Sequence, residues 1–381
     1  MSAPKVLLRK ELARAIRQGH PWIFRDALAA GPAIPGGTVV VVASRDGRPL
    51  AHGFWDATGP IAVRVLDLQP VMDCRTLVGE RLRQALRVRL AGLDRGRTNA
   101  FRWVHGEADR LPGIHVDLYD EVAAVRFDGA GAKAFYQNLD ERLAECAAPI
   151  RLAKVVDREK RDGNLGEIEV RENGIRFLVD LCRGQKGGLF LDQRENRQAV
   201  AGHAAGKSVL NLFGYTGGFS LYAAQAGALR TDTVDVARPA LETARRNFEL
   251  NGLSLEHAGF HTMDALAFLD QAASRKRRWD IVICDPPSFA PSQRALPAAQ
   301  RAYLRLHRLA ASVVAPGGLL CASSCSSHFG RKEFLISLEQ GVAAAGRRFR
   351  LQSLTGAGFD HPALPAFKEG DYLKFALGRV D

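Results

Sequence analysis

From residue 181 onward, short apolar runs of strand length alternate with segments whose apolar positions recur at helical spacing. Strands are predicted at 209–213, 233–236, 260–263, 281–285 and 319–322, and helices at 219–226, 239–251, 265–273 and 298–314. Regular alternation of this kind predicts an α/β fold built on a mostly parallel, doubly wound sheet. A final strand pair near 348–354 and 372–377, joined by a loop, adds an antiparallel edge.

The pattern differs upstream. Residues 1–75 hold an amphipathic stretch at 9–17, the segment Gly-His-Pro-Trp-Ile-Phe (19–24), and short strands at 38–43, 51–54 and 61–66. Gly and Pro separate these strands, which predicts a small β-barrel-like domain. Trp22 and Phe24 are expected to be core aromatics. Residues 77–92 repeat Leu at helical spacing with Arg on the other face, a helix expected to bridge domains. Strands at 101–104, 114–118, 122–127, 152–156 and 175–179 and a helix at 133–147 make the middle segment α+β. The loops at 106–113 and 158–163 are rich in turn residues and are expected to be solvated. The organisation is therefore 1–75, 76–180 and 181–381.

Composition adds a partner. The 381 residues carry a formal charge of +12, with Arg far more frequent than Lys, and this suits a polyanion such as nucleic acid. Residues 1–75 carry 10 basic against 6 acidic residues, residues 76–180 carry 18 against 18, and residues 181–381 carry 25 against 17. A neutral middle between basic ends fits a spacer between a binding module and a catalytic one. Six cysteines (74, 146, 182, 284, 321 and 325) lack metal-ligand spacing and form no disulfide framework, so reduced thiols in the cytoplasm are expected. The N-terminus has no apolar run of signal-peptide type and no stretch approaches a membrane span, so neither export nor membrane attachment is expected.

The candidate chemistry lies in the last segment. The predicted strand at 209–213 runs into a glycine loop, Gly-Tyr-Thr-Gly-Gly (214–218), that opens a helix. Asn211, Phe213, Gly214, Tyr215, Thr216 and Gly217 are the cofactor-lining candidates, with Gly214, Gly217 and Gly218 allowing close backbone approach. Asp235, 21 residues after Gly214, ends the next strand, where a carboxylate can accept both hydroxyls of a ribose. A glycine loop and an acid also fit a nicotinamide enzyme, although the spacing is not Gly-x-Gly-x-x-Gly. Asp264 after the third strand, placed for an adenine amino group, and Asp285-Pro-Pro after the fourth favour S-adenosylmethionine.

Cys325, in Ser-Ser-Cys-Ser-Ser-His (323–328), lies 40 residues after Asp285. If both residues follow adjacent parallel strands, a thiol and a carboxylate share one edge of a pocket. A thiol there can add to an electron-poor ring carbon and make its neighbour nucleophilic. Cys284 precedes Asp285 on the strand and points to the other face, and Cys321 sits in an apolar run; both are expected to be packed thiols. His328 is given no role, and Arg275-Lys-Arg-Arg (275–278) fits either RNA phosphates or a solvated loop. Residues around His361 and Lys368-Glu-Gly-Asp-Tyr-Leu-Lys (368–374) are expected to border the pocket as structure.

Taken together, Gly-His-Pro-Trp-Ile-Phe, Phe-Leu-Asp-Gln-Arg (190–194), Tyr-Thr-Gly-Gly-Phe (215–219), Asp-Pro-Pro-Ser-Phe (285–289) and Ser-Cys-Ser (324–326) resemble the PUA-containing large-subunit rRNA cytosine-5 methyltransferases over nearly the whole chain. The resemblance implies a PUA domain, a central α+β domain and a class I (Rossmann-like) methyltransferase domain, with 23S rRNA or a large-subunit precursor as partner and a homodimer as one arrangement. It makes Cys325 the nucleophile toward cytosine C6 and Asp285 the group at N3. Residues 184–197 would lie over the cofactor, with Phe190 on the adenosine and Lys186 and Arg194 at a carboxylate or phosphates. Many RNA cytosine-5 methyltransferases carry a second cysteine directly after Asp-Pro-Pro, where this chain has Ser288. Two other readings stay open from sequence: a base N-methyltransferase that needs no thiol, and a non-catalytic RNA-binding assembly factor.

Overall fold

A computed structural model describes residues 3–31, 33–159, 166–181, 188–290 and 292–381. Cys182, Lys186 and most of the loop at 158–163 lie outside the described residues. The chain divides into two compact units: Met1–Gly166 with Phe359–Gly370, and Glu167–Gly358 with Asp371–Asp381.

The first unit holds two sheets. Strands β1 (Lys5–Leu7), β2 (Trp22–Phe24), β3 (Val39–Ala43), β4 (Pro49–Trp55) and β5 (Ile61–Asp67) form a five-stranded sheet in the order β1-β3-β4-β5-β2, with α1 (Ala13–Arg17) after β1. Val40, Val42, Ala62, Val63 and Ile23 form its core. Within Trp22-Ile-Phe the core residue is Ile23. Phe24 is exposed and Trp22 is half-buried, its indole N–H donated to Glu107 at 2.7 Å and its ring 4.5 Å from that of Phe367. The expectation that both aromatics are core is corrected, because strand alternation places Ile23 inward.

Helix α2 (Cys74–Gly92) starts at Asp73, whose carboxylate accepts from the backbone N–H groups of Arg75 and Thr76. Its Val78, Leu82 and Leu86 pack with Phe101, Trp103 and Leu118 from the four-stranded sheet of β6 (Ala100–His105), β7 (Ile114–Tyr119), β8 (Val122–Phe127) and β9 (Lys154–Asp157). The single helix expected at 133–147 is two, α3 (Ala130–Phe135) and α4 (Leu139–Cys146), broken where Asn138 adopts a left-handed φ of 55°. Glu107 is buried beside Arg64 at 2.5 Å, so the loop at 106–113 is not wholly solvated. Residues 359–370 return to this unit: the Asp360 carboxylate accepts from the Arg102 backbone N–H at 2.8 Å, and Arg89 donates to the Asp360 carbonyl at 3.0 Å.

The second unit begins with a hairpin, β10 (Glu167–Glu172) and β11 (Ile175–Asp180), and α5 (Arg194–Ala201). There follow β12 (Ser208–Leu212), α6 (Gly218–Gln225), β13 (Arg230–Asp235), α7 (Arg238–Leu250), β14 (Ala258–Thr262), α8 (Ala265–Ser274), β15 (Trp279–Cys284) and α9 (Leu296–Val313). The last elements are β16 (Val314–Ser324), α10 (Arg331–Ala344), β17 (Phe349–Thr355) and β18 (Lys374–Val380). The seven-stranded sheet has the order β14-β13-β12-β15-β16-β18-β17, parallel except where β18 pairs antiparallel with β16 and β17. Period-two alternation fills both faces. Leu210, Leu212, Val282, Cys284 and Leu320 pack on one side, and Val209, Ile281, Ile283, Leu319 and Cys321 on the other. The order reverses between β12 and β15, which opens a crevice at the strands' carboxyl ends.

Candidate active site

Register brings the candidate residues to that crevice. Leu212 pairs with Val234 on one side and Cys284 on the other, and Cys284 pairs with Ala322. The glycine loop, Asp235, Asp285 and the segment holding Cys325 therefore leave the sheet at one edge.

The glycine loop is tightly built. Phe213 and Tyr215 hold positive φ values of 57° and 49°, a conformation costing a non-glycine residue roughly 1 kcal/mol each. Surrounding bonds hold it: Gly214 N–H donates to Val234 O (2.9 Å), Tyr215 N–H to the Asp235 carboxylate (2.9 Å), and Asn247 to Thr216 O (3.1 Å). The glycines relieve crowding within the protein. A Cβ on Gly214 would meet Thr233 Cγ2 at 2.4 Å, and Gly217, at φ 81°, faces Ala244. Asn211 is buried and donates to Ser220 Oγ, and its carbonyl oxygen is a buried acceptor lacking a partner.

Asp235 accepts from Tyr215 N–H through one oxygen and from Ala237 N–H through the other (2.8 Å). Each oxygen keeps acceptor capacity for a hydroxyl. Val236, which follows it, is an exposed apolar residue at the strand's end. Asp264 caps α8, accepting from Leu266 and Ala267 N–H at 3.0 Å through one oxygen. A carboxylate for a diol, an apolar side chain for a flat ring and an orphaned buried acceptor make a donor set that fits S-adenosylmethionine.

The segment Phe-Leu-Asp-Gln-Arg-Glu-Asn-Arg (190–197) is buried, apart from Glu195 and Phe190, which are half-buried. Phe190 meets Tyr215 edge to face at 5.6 Å. Arg197 donates to both oxygens of the fully buried Glu172 (2.9 and 2.7 Å) and to the Phe190 carbonyl (2.9 Å). Burial works against its charge, but Glu172 outweighs burial and raises the Arg197 pKa. Arg194 is also buried, 3.8 Å from Glu172 and 3.5 Å from Glu195. Gln193 donates to Ser323 Oγ (3.1 Å) and Asn196 to Gln193 (2.7 Å), while Tyr372 donates to Asp192 (2.6 Å). One motif thus joins the Phe190 side of the crevice to the strand preceding Cys325.

Cys325 is half-exposed between buried serines. Tyr303 donates to Ser324 Oγ at 2.8 Å, and Ser326 Oγ donates to Ala290 O at 2.6 Å, tying this loop to the one after Asp285-Pro-Pro. The Tyr303 hydroxyl is pushed up to about 12, by burial first, with the bond to Ser324 opposing and nearby Cys325 and Asp285 adding to it. Cys321 is pushed up to about 12 by burial, and Cys284 is raised also, mainly by burial. Neither thiol can ionise near neutral pH. Ser288 and His328 are exposed, and the residues around His361 lie in the first unit.

The sequence did not single out Val236, Glu172 or Tyr303, and it placed Lys374 only within the pocket-bordering segment 368–374. Val236 had a usable signal, an apolar residue directly after a strand-ending acid; the other three depend on tertiary contacts.

Residues 159–350 match the S-adenosylmethionine-dependent methyltransferase family and residues 6–68 a PUA-like domain. The chain is 37% identical to the ribosomal RNA large subunit methyltransferase I of Photobacterium profundum, with 97% of each chain covered. It is 34% identical to that of Shewanella denitrificans, covering 99% of this chain and all of the relative. The chain belongs to the ribosomal RNA large subunit methyltransferase I family. A structure from Streptococcus mutans described as a putative SAM-dependent methyltransferase shares the family's fold with TM-score 0.85 at 22% identity, covering 99% of this chain and all of that one. A second, described as a putative methyltransferase complexed with SAH, matches at TM-score 0.85 and 23% identity over the whole of both chains.

Proposed function

We propose that this chain methylates C5 of a cytosine in large-subunit ribosomal RNA, with Cys325 as covalent nucleophile. The supporting observation is that Cys325 is the half-exposed thiol at the sheet's carboxyl edge, its loop bonded to the one following Asp285, whereas Cys284 and Cys321 are sealed in the sheet. The names of the full-length relatives and the PUA-like domain support an RNA substrate. Asp235 would hold the ribose hydroxyls of S-adenosylmethionine, with Val236 and Phe190 against its rings and Asn211, Phe213, Gly214, Tyr215, Thr216 and Gly217 shaping the wall. Asp264 would lie beside the adenine edge. Arg194, buried 3.8 Å from Glu172 and 3.5 Å from Glu195, would support the segment carrying Phe190 from behind.

The Cys325 thiolate adds to C6, the ring electrons move toward C5, and Asp285 stabilises the charge at N3 by hydrogen bonding or proton donation. S-adenosylmethionine supplies the electrophilic methyl group that C5 takes. Loss of the C5 proton to a base then returns electrons to the C5–C6 bond and expels the thiolate. With Ser288 in the position where a second cysteine often stands, release uses another group or water.

Cys325→Ala should abolish methylation while binding S-adenosylhomocysteine normally, and RNA carrying 5-fluorocytosine should become covalently attached to the wild type. Full methylation by Cys325→Ala would point instead to methylation on nitrogen. Failure to bind S-adenosylhomocysteine in calorimetry would point to a non-catalytic assembly factor.

A further inference from the structure

Lys374 opens β18 opposite Ser324 and is 1% exposed. Its ammonium donates to the carbonyl of Ser326, the residue after Cys325, at 2.5 Å and to the carbonyl of Tyr372 at 2.8 Å. The Ser326 carbonyl also takes the Phe329 N–H at 3.2 Å, so two donors fix the peptide that follows the thiol. Both of these acceptors are neutral carbonyls. Asp371, the acid closest in sequence, is held by Arg331 through two bonds of 3.0 Å.

A buried ammonium bonded to two neutral carbonyls is costly, and such a charge is retained where an anion shares its surroundings. Burial pushes Lys374 down to about 8, while Asp371 and Cys325 act to raise it and Arg331 to lower it. Asp285 and Tyr303 are further titratable groups near Cys325. Of these, Cys325 is the one that the reaction requires as an anion.

We propose that Lys374 is a positioning residue that holds the Cys325 loop through the Ser326 carbonyl and stabilises the Cys325 thiolate by its charge. The inference rests on Cys325 being the attacking thiol. The thiol proton leaves to solvent, and Lys374 keeps its own.

The test is alkylation of Cys325 by iodoacetamide in the full-length protein across pH, read by peptide mass, with Cys325→Ala as the blank and S-adenosylhomocysteine affinity as the measure of intact folding. Lys374→Met and Lys374→Gln should raise the alkylation midpoint by about one pH unit, slowing alkylation near neutral pH about tenfold. Lys374→Arg should keep the midpoint near that of the wild type. A pure anchoring role predicts a wild-type midpoint for Lys374→Gln, which retains an N–H donor, and that result overturns the proposal. An unchanged midpoint in Lys374→Met does the same. Should Lys374→Met fail to bind S-adenosylhomocysteine, the Gln and Arg variants decide: separated midpoints support the proposal and equal ones refute it. Methylation retained by Cys325→Ala would overturn the underlying nucleophile reading and is scored separately from alkylation.

Discussion

Replacing Glu172 with Gln tests how the Phe190 segment is held. Glu172 is fully buried and receives two bonds from Arg197 (2.9 and 2.7 Å) and one from the Tyr222 hydroxyl (2.9 Å), with Arg194 3.8 Å away. Gln keeps the volume and an acceptor but removes the charge. Arg194 retains Glu195 at 3.5 Å, while Arg197 loses its carboxylate partner in a site where it is 3% exposed. Breaking a buried pair this way costs about 3–5 kcal/mol. Because Arg197 also holds the Phe190 carbonyl, affinity for S-adenosylhomocysteine should fall about tenfold, or roughly 1.4 kcal/mol. Urea unfolding followed by hydrogen exchange in β12 and β15 peptides isolates the second unit. The double variant Glu172→Gln/Arg197→Met removes both charges and should recover stability relative to the sum of the singles. A Glu172→Gln loss below about 1 kcal/mol, or strict additivity in the double variant, refutes the clamp.

His307 is fully buried in α9, and burial depresses its pKa from 6.5 to about 4. Its neutral form stabilises the fold fully above pH 6.5, and about 3 kcal/mol is lost as pH falls toward 4, a slope that His307→Leu should remove from acid-unfolding curves. Gly214→Ala should weaken S-adenosylhomocysteine binding, because the new methyl meets Thr233 Cγ2 at 2.4 Å; Thr233→Ser, which keeps the hydroxyl bonded to Ser220, should restore it in the double variant. Asp235→Ala removes the acceptor for a ribose diol and should lower that affinity about 100-fold by calorimetry, and a loss under about threefold contradicts the assignment.

Most of the second unit was legible because a two-faced parallel sheet writes its strands as continuous apolar runs separated by amphipathic helices. The crevice followed from strand order, and Asp235, Asp285 and Cys325 from their places at strand ends. The short polar α5, Arg194–Ala201, was missed because its charged side chains are turned inward and paired, whereas a run such as Arg-Glu-Asn-Arg ordinarily faces water. Glu172 was hidden likewise: it stands in phase with Ile168 and Val170 on β10, and its counter-charge lies 25 residues away in sequence. Trp22 and Phe24 misled in the opposite sense, because hydrophobic character does not say which of two strand faces is covered.

What distinguishes Cys325 from its neighbours is the fate of the residues around it. Ser323, Ser324 and Ser326 are each buried, and their hydroxyls bond to Gln193, Tyr303 and Ala290, groups from three separate segments. Apolar residues at these positions would leave the end of β16 with packing alone to fix its direction, and a thiol there would sample several orientations. Each directional bond removes one such freedom, so the ordering is already present before a substrate binds. The same serines that give this stretch its polar character in sequence therefore fix the backbone on either side of Cys325, the half-buried thiol of the row.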